Sequence, residues 1–205
     1  MSVAMSISRE LVRLSLVGEE PDPLTPLRLQ KLLYYAQAWS LVIRDAQLFP
    51  EEIQAWQNGP VVADVHRAIR NTGASRDIVL ISLPDAPDPD PDDAEFVLAL
   101  WESYSGESAT ALVRSTHSEP PWIAAWGDRS ETDSGCDPIS VAELIDYFGG
   151  RELTGPLAAY KKKMEREEDA AQRKLEGMGS FGPDRSLAGG TWFSPGATER
   201  KGRVN

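Results

Sequence analysis

The sequence has little with which to staple a fold or hold a metal. Its 205 residues include one cysteine and two histidines. A single Cys forms no internal disulfide. Cys136, His66 and His117 together fall short of the roughly four ligands of a structural zinc site, and no spacing of acidic residues makes a cage in their place. Long apolar runs are also missing. No stretch approaches the roughly 20 residues that cross a bilayer, and the opening MSVAMSISRELVRLSL lacks a signal-peptide layout. The expectation is a soluble, cytoplasmic protein that stays off membranes. Basic charge is scarce: 21 Lys+Arg stand against 32 Asp+Glu, a net charge of −11. Such a surface repels phosphate backbones, which argues against nucleic acid as a partner.

What is present describes a folded body with an unlike end. At 41% hydrophobic residues the chain is too apolar to be wholly disordered. Its length suits one domain with an appendage, or two small domains, and buries most of its apolar surface without cross-links. The charge is uneven. Residues 1–159 hold 11 basic and 25 acidic side chains, whereas residues 160–205 hold 10 and 7, so a body of −14 carries a tail of +3.

Helical spacing dominates the body. Leu11, Val12 and Leu14 form a stripe over 5–17, with Arg9, Glu10 and Arg13 outside it. Thr25 and Pro26 suit the cap and first position of a helix over 25–44, along which Leu29, Leu32, Leu33, Ala36, Trp39 and Ile43 recur. Arg28 and Lys31 read as its solvated face. The period changes at 52–63, where a short strand meets the turn Asn58-Gly59-Pro60. Pro60 opens a helix to about Asn71. Residues 72–93 read as a connector holding a strand-like run at 77–83 and the exposed loop PDAPDPDPDD. That loop lacks the regular calcium-loop pattern. Further helices fit residues from about 92 to 104, 107–118 and 140–148, with a short helix or turn near 122–126 and a loop over 127–138. A last helix over 153–176 is almost entirely charged beyond Tyr160 and has no core face. Gly177 to Asn205 is glycine-rich, yet carries Phe181, Trp192 and Phe193, the kind of apolar anchors found in segments that fold on binding.

Catalytic signals are weak. Cys136 sits between Gly135 and Asp137, and neighbouring carboxylates make a thiol less nucleophilic. No Gly-x-Ser-x-Gly elbow occurs. Gly177, Gly179 and Gly182 match a dinucleotide-binding spacing but follow a charged helix rather than a strand. His66 reads as a half-buried helix residue. A Cys136–His117 hydrolase is a remote alternative, and neither metal nor cofactor is expected. Six tryptophans favour an interaction protein, since Trp is enriched at binding hot spots.

Four runs together resemble the Panacea domain of SocA-like and phage-associated proteins. They are LTPLRLQKLLYYAQAWSLVIRD, AWQNGPVVADVHRAIR, THSEPPWIAAW and ISVAELIDYF. The resemblance covers about residues 7–150 and is carried by Leu29–Tyr35, Trp56–Val61, and Thr116, His117, Pro121 and Trp122. It implies an antitoxin that binds a cognate toxin, encoded by the adjacent gene, or alternatively an adaptor delivering that toxin to a ClpXP-type protease. The partner-binding candidates are Tyr34, Tyr35, Trp56, Gly59, Pro60, His117 and Trp122, with Phe181, Trp192 and Phe193 in the tail. His117 and Trp122 are expected to brace the Pro-Trp corner against the Tyr-Tyr helix, through an imidazole hydrogen bond and aromatic packing. Gly59-Pro60 is expected to be architectural. The expected fold is mainly α, with six or seven helices in all and a small two- or three-stranded β element near 52–62 and 77–83, the compact Panacea-type domain spanning 1–152. The charged helix and tail at 153–205 form the toxin-binding appendage.

Overall fold

A computed structural model describes residues 2–17, 20–73, 78, 83–130 and 132–178. The fold is mainly helical, with eight helices and a three-stranded antiparallel sheet among those residues. In chain order these are α1 (Val3–Leu16), α2 (Pro26–Ile43), β1 (Ile53–Trp56), β2 (Gly59–Val62), α3 (Ala63–Thr72), α4 (Pro91–Tyr104), α5 (Ala109–His117), α6 (Pro120–Trp126), β3 (Asp137–Pro138), α7 (Val141–Gly149) and α8 (Gly155–Met178). The helix beyond the expected six or seven is α6, a stretch that reads equally as a turn.

Helix α2 is the axis of the body. The Thr25 hydroxyl accepts from the Arg28 amide at 3.2 Å, and Pro26 occupies the first turn, where its missing N–H costs nothing. Every residue from Arg28 to Leu41 is buried, because α1, α4, α5, α7 and the β1–β2 hairpin surround the helix. A helix covered on all sides has no solvent face to reserve for polar residues. Arg28 and Lys31 are therefore buried, not solvated. Glu10 of α1 is likewise buried and pairs with Arg13, against its expected place outside.

The hairpin sets Trp56 opposite Gly59 and Ile53 opposite Val62. Helix α3 begins at Ala63 rather than at Pro60, because residues 60–62 complete β2. The outer partner of β1 is β3, paired Gln54 with Pro138 and Ala55 with Asp137. It comes from the stretch that reads as loop, since two residues are too few to show a period. Of the strand-like run at 77–83, only Ile78 and Leu83 lie within the described residues. Both are buried, and the Ile78 amide donates to the Leu24 carbonyl at 2.8 Å. Asp90 caps α4 by accepting from the Asp93 amide at 2.9 Å, with Pro91 at its first position, slightly ahead of the expected start.

The chain divides into two units, Met1–Met164 and Glu165–Asn205. The first extends past residue 152 because Leu157 and Tyr160 at the start of α8 are buried in it. In the second, helical residues 165–176 expose every side chain, as expected of a helix without a core face.

Candidate functional site

A polar side chain buried in a core helix must find a partner or cost a desolvation penalty of about 1–3 kcal/mol. Helix α2 meets that demand by bonding the elements around it. Gln37 donates from Nε2 to the Phe49 carbonyl and accepts at Oε1 from the Leu48 and Phe49 amides. Trp39 Nε1 donates to the Tyr104 hydroxyl at 2.8 Å. Arg28 reaches Asp22 and the Ser105 carbonyl and lies over the Trp101 ring. Gln30 accepts from the Val62 amide at 2.7 Å, and Lys31 donates to the Pro60 carbonyl at 2.8 Å. These last two bonds seal the outer edge of β2 against the helix.

The Lys31 ammonium is 0% exposed, and burial lowers its pKa from 10.5 to about 7. The unfolded chain therefore holds more protons than the fold between pH 7 and 10.5. Stability rises with pH across that window, and below it the full cost of the buried charge remains. Urea unfolding from pH 7 to 9.5 is expected to show a gain of up to about 3 kcal/mol. The gain should vanish in Lys31→Met. An equal slope in that variant would refute the assignment.

Gly59 and Pro60 sit on this lysine. Gly59 adopts φ +91°. A Cβ there would lie 2.8 Å from Lys31 Nζ and 2.9 Å from Thr116 Oγ1. Glycine is thus required twice over, by backbone conformation and by space, and the pair is built into the architecture.

Tyr34 and Tyr35 lie in the core, and their hydroxyls find one acceptor. Tyr34 donates to Glu119 Oε2 at 2.8 Å and Tyr35 to Glu119 Oε1 at 3.0 Å. Arg151 Nη1, just beyond α7, donates to the same Oε1 at 3.1 Å and to the Tyr147 hydroxyl. Glu119 is 2% exposed. It precedes α6, whose Pro120 and Pro121 offer no amide to cap, so its carboxylate turns inward. Burial raises the Glu119 pKa, opposed by the hydrogen bonds from the two tyrosines and by Arg151. Burial, with the carboxylate second, also raises both tyrosines. Around them Phe148 packs edge-on to Tyr34, Tyr35 and Trp39, and Tyr35 stacks on Tyr104 at 4.6 Å.

Glu119 joins the Pro-Trp corner to the Tyr-Tyr helix, where His117 and Trp122 are expected to act. His117 stacks on Trp122 at 4.2 Å, and Trp122 stacks on Trp126 at 5.1 Å. Trp122 Nε1 donates to the Trp56 carbonyl at 3.1 Å, tying this ladder to the hairpin. The signal for Glu119 was available: two tyrosine hydroxyls on an apolar helix need an acceptor. It lies between the Thr116-His117 and Pro121-Trp122 pairs, outside the residues that carry the motif, which hides it.

Trp56 is half-buried and faces His66 of α3 at 4.8 Å. It borders an open cleft of about 650 Å³ formed by the first turn of α2, the hairpin, Arg129 and residues 134–137, with Leu27, Gln30, Val61 and Cys136 also on its walls. The ten candidates therefore separate. Tyr34 and Tyr35 meet at Glu119, while Gly59, Pro60, Trp56, His117 and Trp122 form the hairpin–ladder region. Phe181, Trp192 and Phe193 lie outside the described residues. Among the described residues no group of three or more His, Cys, Asp or Glu is placed to hold a metal ion, and no helix is long and apolar enough to cross a membrane.

Residues 29–123 match the family model described as Antitoxin SocA-like, Panacea domain. That span starts inside α2 and ends inside α6, so it takes in Lys31, both tyrosines, the hairpin and Glu119. No curated protein and no solved structure matches the chain. Over residues 29–123, which hold the buried centre of the fold, the chain is similar to the Panacea domain of SocA-like antitoxins.

Proposed function

We propose that the protein is the antitoxin of a two-gene module and neutralises its toxin by direct protein–protein binding. The observation that carries this reading is the SocA-like antitoxin match over residues 29–123. The role is non-enzymatic. His117 is stacked on Trp122, and the Cys136 thiol is exposed at the cleft, which gives a hydrolytic pair no support. The acidic body, of net charge −14 over residues 1–159, suits a basic toxin surface and would speed its capture. The segment 153–205 is the appendage that selects the partner, with Phe181, Trp192 and Phe193 as anchors.

Co-expression with the adjacent gene product tests this. The toxic product is expected to arrest growth alone, to be silent with this protein, and to co-purify with it. Rescue should persist in a strain lacking ClpXP-type protease; loss there would replace blocking by proteolytic delivery. Deleting residues 177–205 should weaken neutralisation, and undiminished rescue would remove the tail from the proposal.

A further inference from the structure

The junction between α7 and α8 holds an arginine that the fold uses by one edge only. Arg151 spends Nη1 on Glu119 Oε1 and on the Tyr147 hydroxyl, each at 3.1 Å. Its Nε and Nη2 have no acceptor among the described residues, and the side chain is 43% exposed. A guanidinium pinned by one nitrogen still offers a planar two-donor fork, which matches a second carboxylate. Arg151 lines a cavity of about 320 Å³ between α4, α5 and the end of α7. Other donors on its wall are also unspent. The Tyr104 hydroxyl accepts from Trp39 Nε1 and the Tyr147 hydroxyl from Arg151, so each keeps its own hydrogen to give. Burial pushes the Tyr104 pKa up to about 12, which holds that hydrogen in place at physiological pH. Ser115 is exposed on α5, and its hydroxyl makes no bond among the described residues.

Charge narrows the ligand further. The Glu119 carboxylate is already matched by Tyr34, Tyr35 and Arg151. Glu107, in the α4–α5 loop, lines the same cavity, is exposed, and makes no ion pair among the described residues. A carboxylate alone would meet that unpaired charge, and a phosphate dianion would meet it more strongly. An ammonium alone would leave the donors of Arg151, Tyr104 and Tyr147 unused and would sit beside a guanidinium. A small molecule that carries both groups answers both demands. The cavity lies at the small end of ligand sites, which run from roughly 300 Å³ upward.

We propose that the cavity between α4, α5 and the end of α7 is a binding site for a free amino acid. The ligand carboxylate lies on the Nε–Nη2 edge of Arg151, with the Tyr104, Tyr147 and Ser115 hydroxyls as further donors, and the ligand ammonium faces Glu107. Glu119 does not touch the ligand; it is a positioning residue that holds Arg151. Occupancy ties the α4–α5 loop to the end of α7. The site rests on the cavity alone and goes beyond the antitoxin reading.

Calorimetric titration of the full chain with the standard amino acids, one at a time, tests this. At least one is expected to bind at millimolar concentration or below and to raise the unfolding midpoint as it does. Its matching amine, which lacks the carboxylate, and its matching acid, which lacks the ammonium, should each bind about tenfold more weakly or worse. Arg151→Lys keeps a positive charge for Glu119 but has no fork, and should weaken the amino acid about tenfold. Glu107→Gln should weaken it by a similar factor. The Glu107 side chain bonds nothing in the fold, so this second variant decides the matter should Arg151→Lys fail to fold. Absence of binding by every amino acid would overturn the proposal. So would a matching amine or acid that binds as tightly as the amino acid, or inorganic phosphate that displaces it. Undiminished binding in both Glu107→Gln and Arg151→Lys would put the ligand elsewhere and overturn it too.

Discussion

Replacing Glu119 by alanine is expected to destabilise the protein by about 3–5 kcal/mol. The carboxylate accepts from Tyr34, Tyr35 and Arg151 at 2.8, 3.0 and 3.1 Å. Both hydroxyls are buried, so neither can turn to water when the acceptor is deleted. Alanine would also open a hole between α2, α6 and α7. Glu119→Gln separates these effects. It preserves the shape and one acceptor oxygen, and should cost about half as much. The acidic limb of the pH profile gives a second check. Burial raises the Glu119 pKa, so the fold holds this proton more readily than the unfolded chain does. That contribution is complete below about 4.5 and fades as pH rises through the folded value; Glu119→Gln should lack it. Urea unfolding at pH 7.5, with near-ultraviolet dichroism of the tyrosines, measures the cost. An alanine variant within 1 kcal/mol of the unaltered protein would show that the three donors find other partners.

Gly59→Ala is expected to cost about 3–5 kcal/mol, from two sources. A side chain at φ +91° carries strain of roughly 1–3 kcal/mol. Its Cβ also meets Lys31 Nζ at 2.8 Å, Lys31 Cε at 2.9 Å and Thr116 Oγ1 at 2.9 Å. The ends of lysines usually swing aside, but this one is 0% exposed and bonded to the Pro60 carbonyl. Moving it leaves both groups unpaired in the core, which costs about 1–3 kcal/mol. Gly73 is the control. It has φ +76° at the end of α3 and nothing within 4 Å of a Cβ, so Gly73→Ala should cost only about 1 kcal/mol. Equal losses at the two positions would leave strain alone as the cause. Combining Gly59→Ala with Lys31→Ala should give less than the sum of the single losses, because the two residues compete for one space.

Helical spacing and caps are local properties, and they were legible. Thr25-Pro26 does open the central helix, and the charged end of α8 does lack a buried face. The Panacea motifs could be read for the same reason, since each is a short run of fixed spacing. Other features depend on what lies across the fold. The two-residue strand β3 exists only because Gln54 and Ala55 have an open side to pair. Lys31 looks like a surface lysine beside Arg28 until six elements close around α2. Glu119 lies 84 and 85 residues from the tyrosines it bonds, farther than any periodicity reaches.

The sequence alone determined an acidic, mainly helical body, a chemically different tail and a likeness to the SocA-like Panacea domain, because composition, period and motif spacing are carried by neighbouring residues. Only the tertiary structure decided which polar side chains would be buried and what each would bond. It set Glu119 under Tyr34 and Tyr35, Lys31 under Gly59-Pro60, and Gln30 against the Val62 amide. The physical reason is that a buried polar group takes its meaning from its partner, and that partner comes from a distant part of the chain.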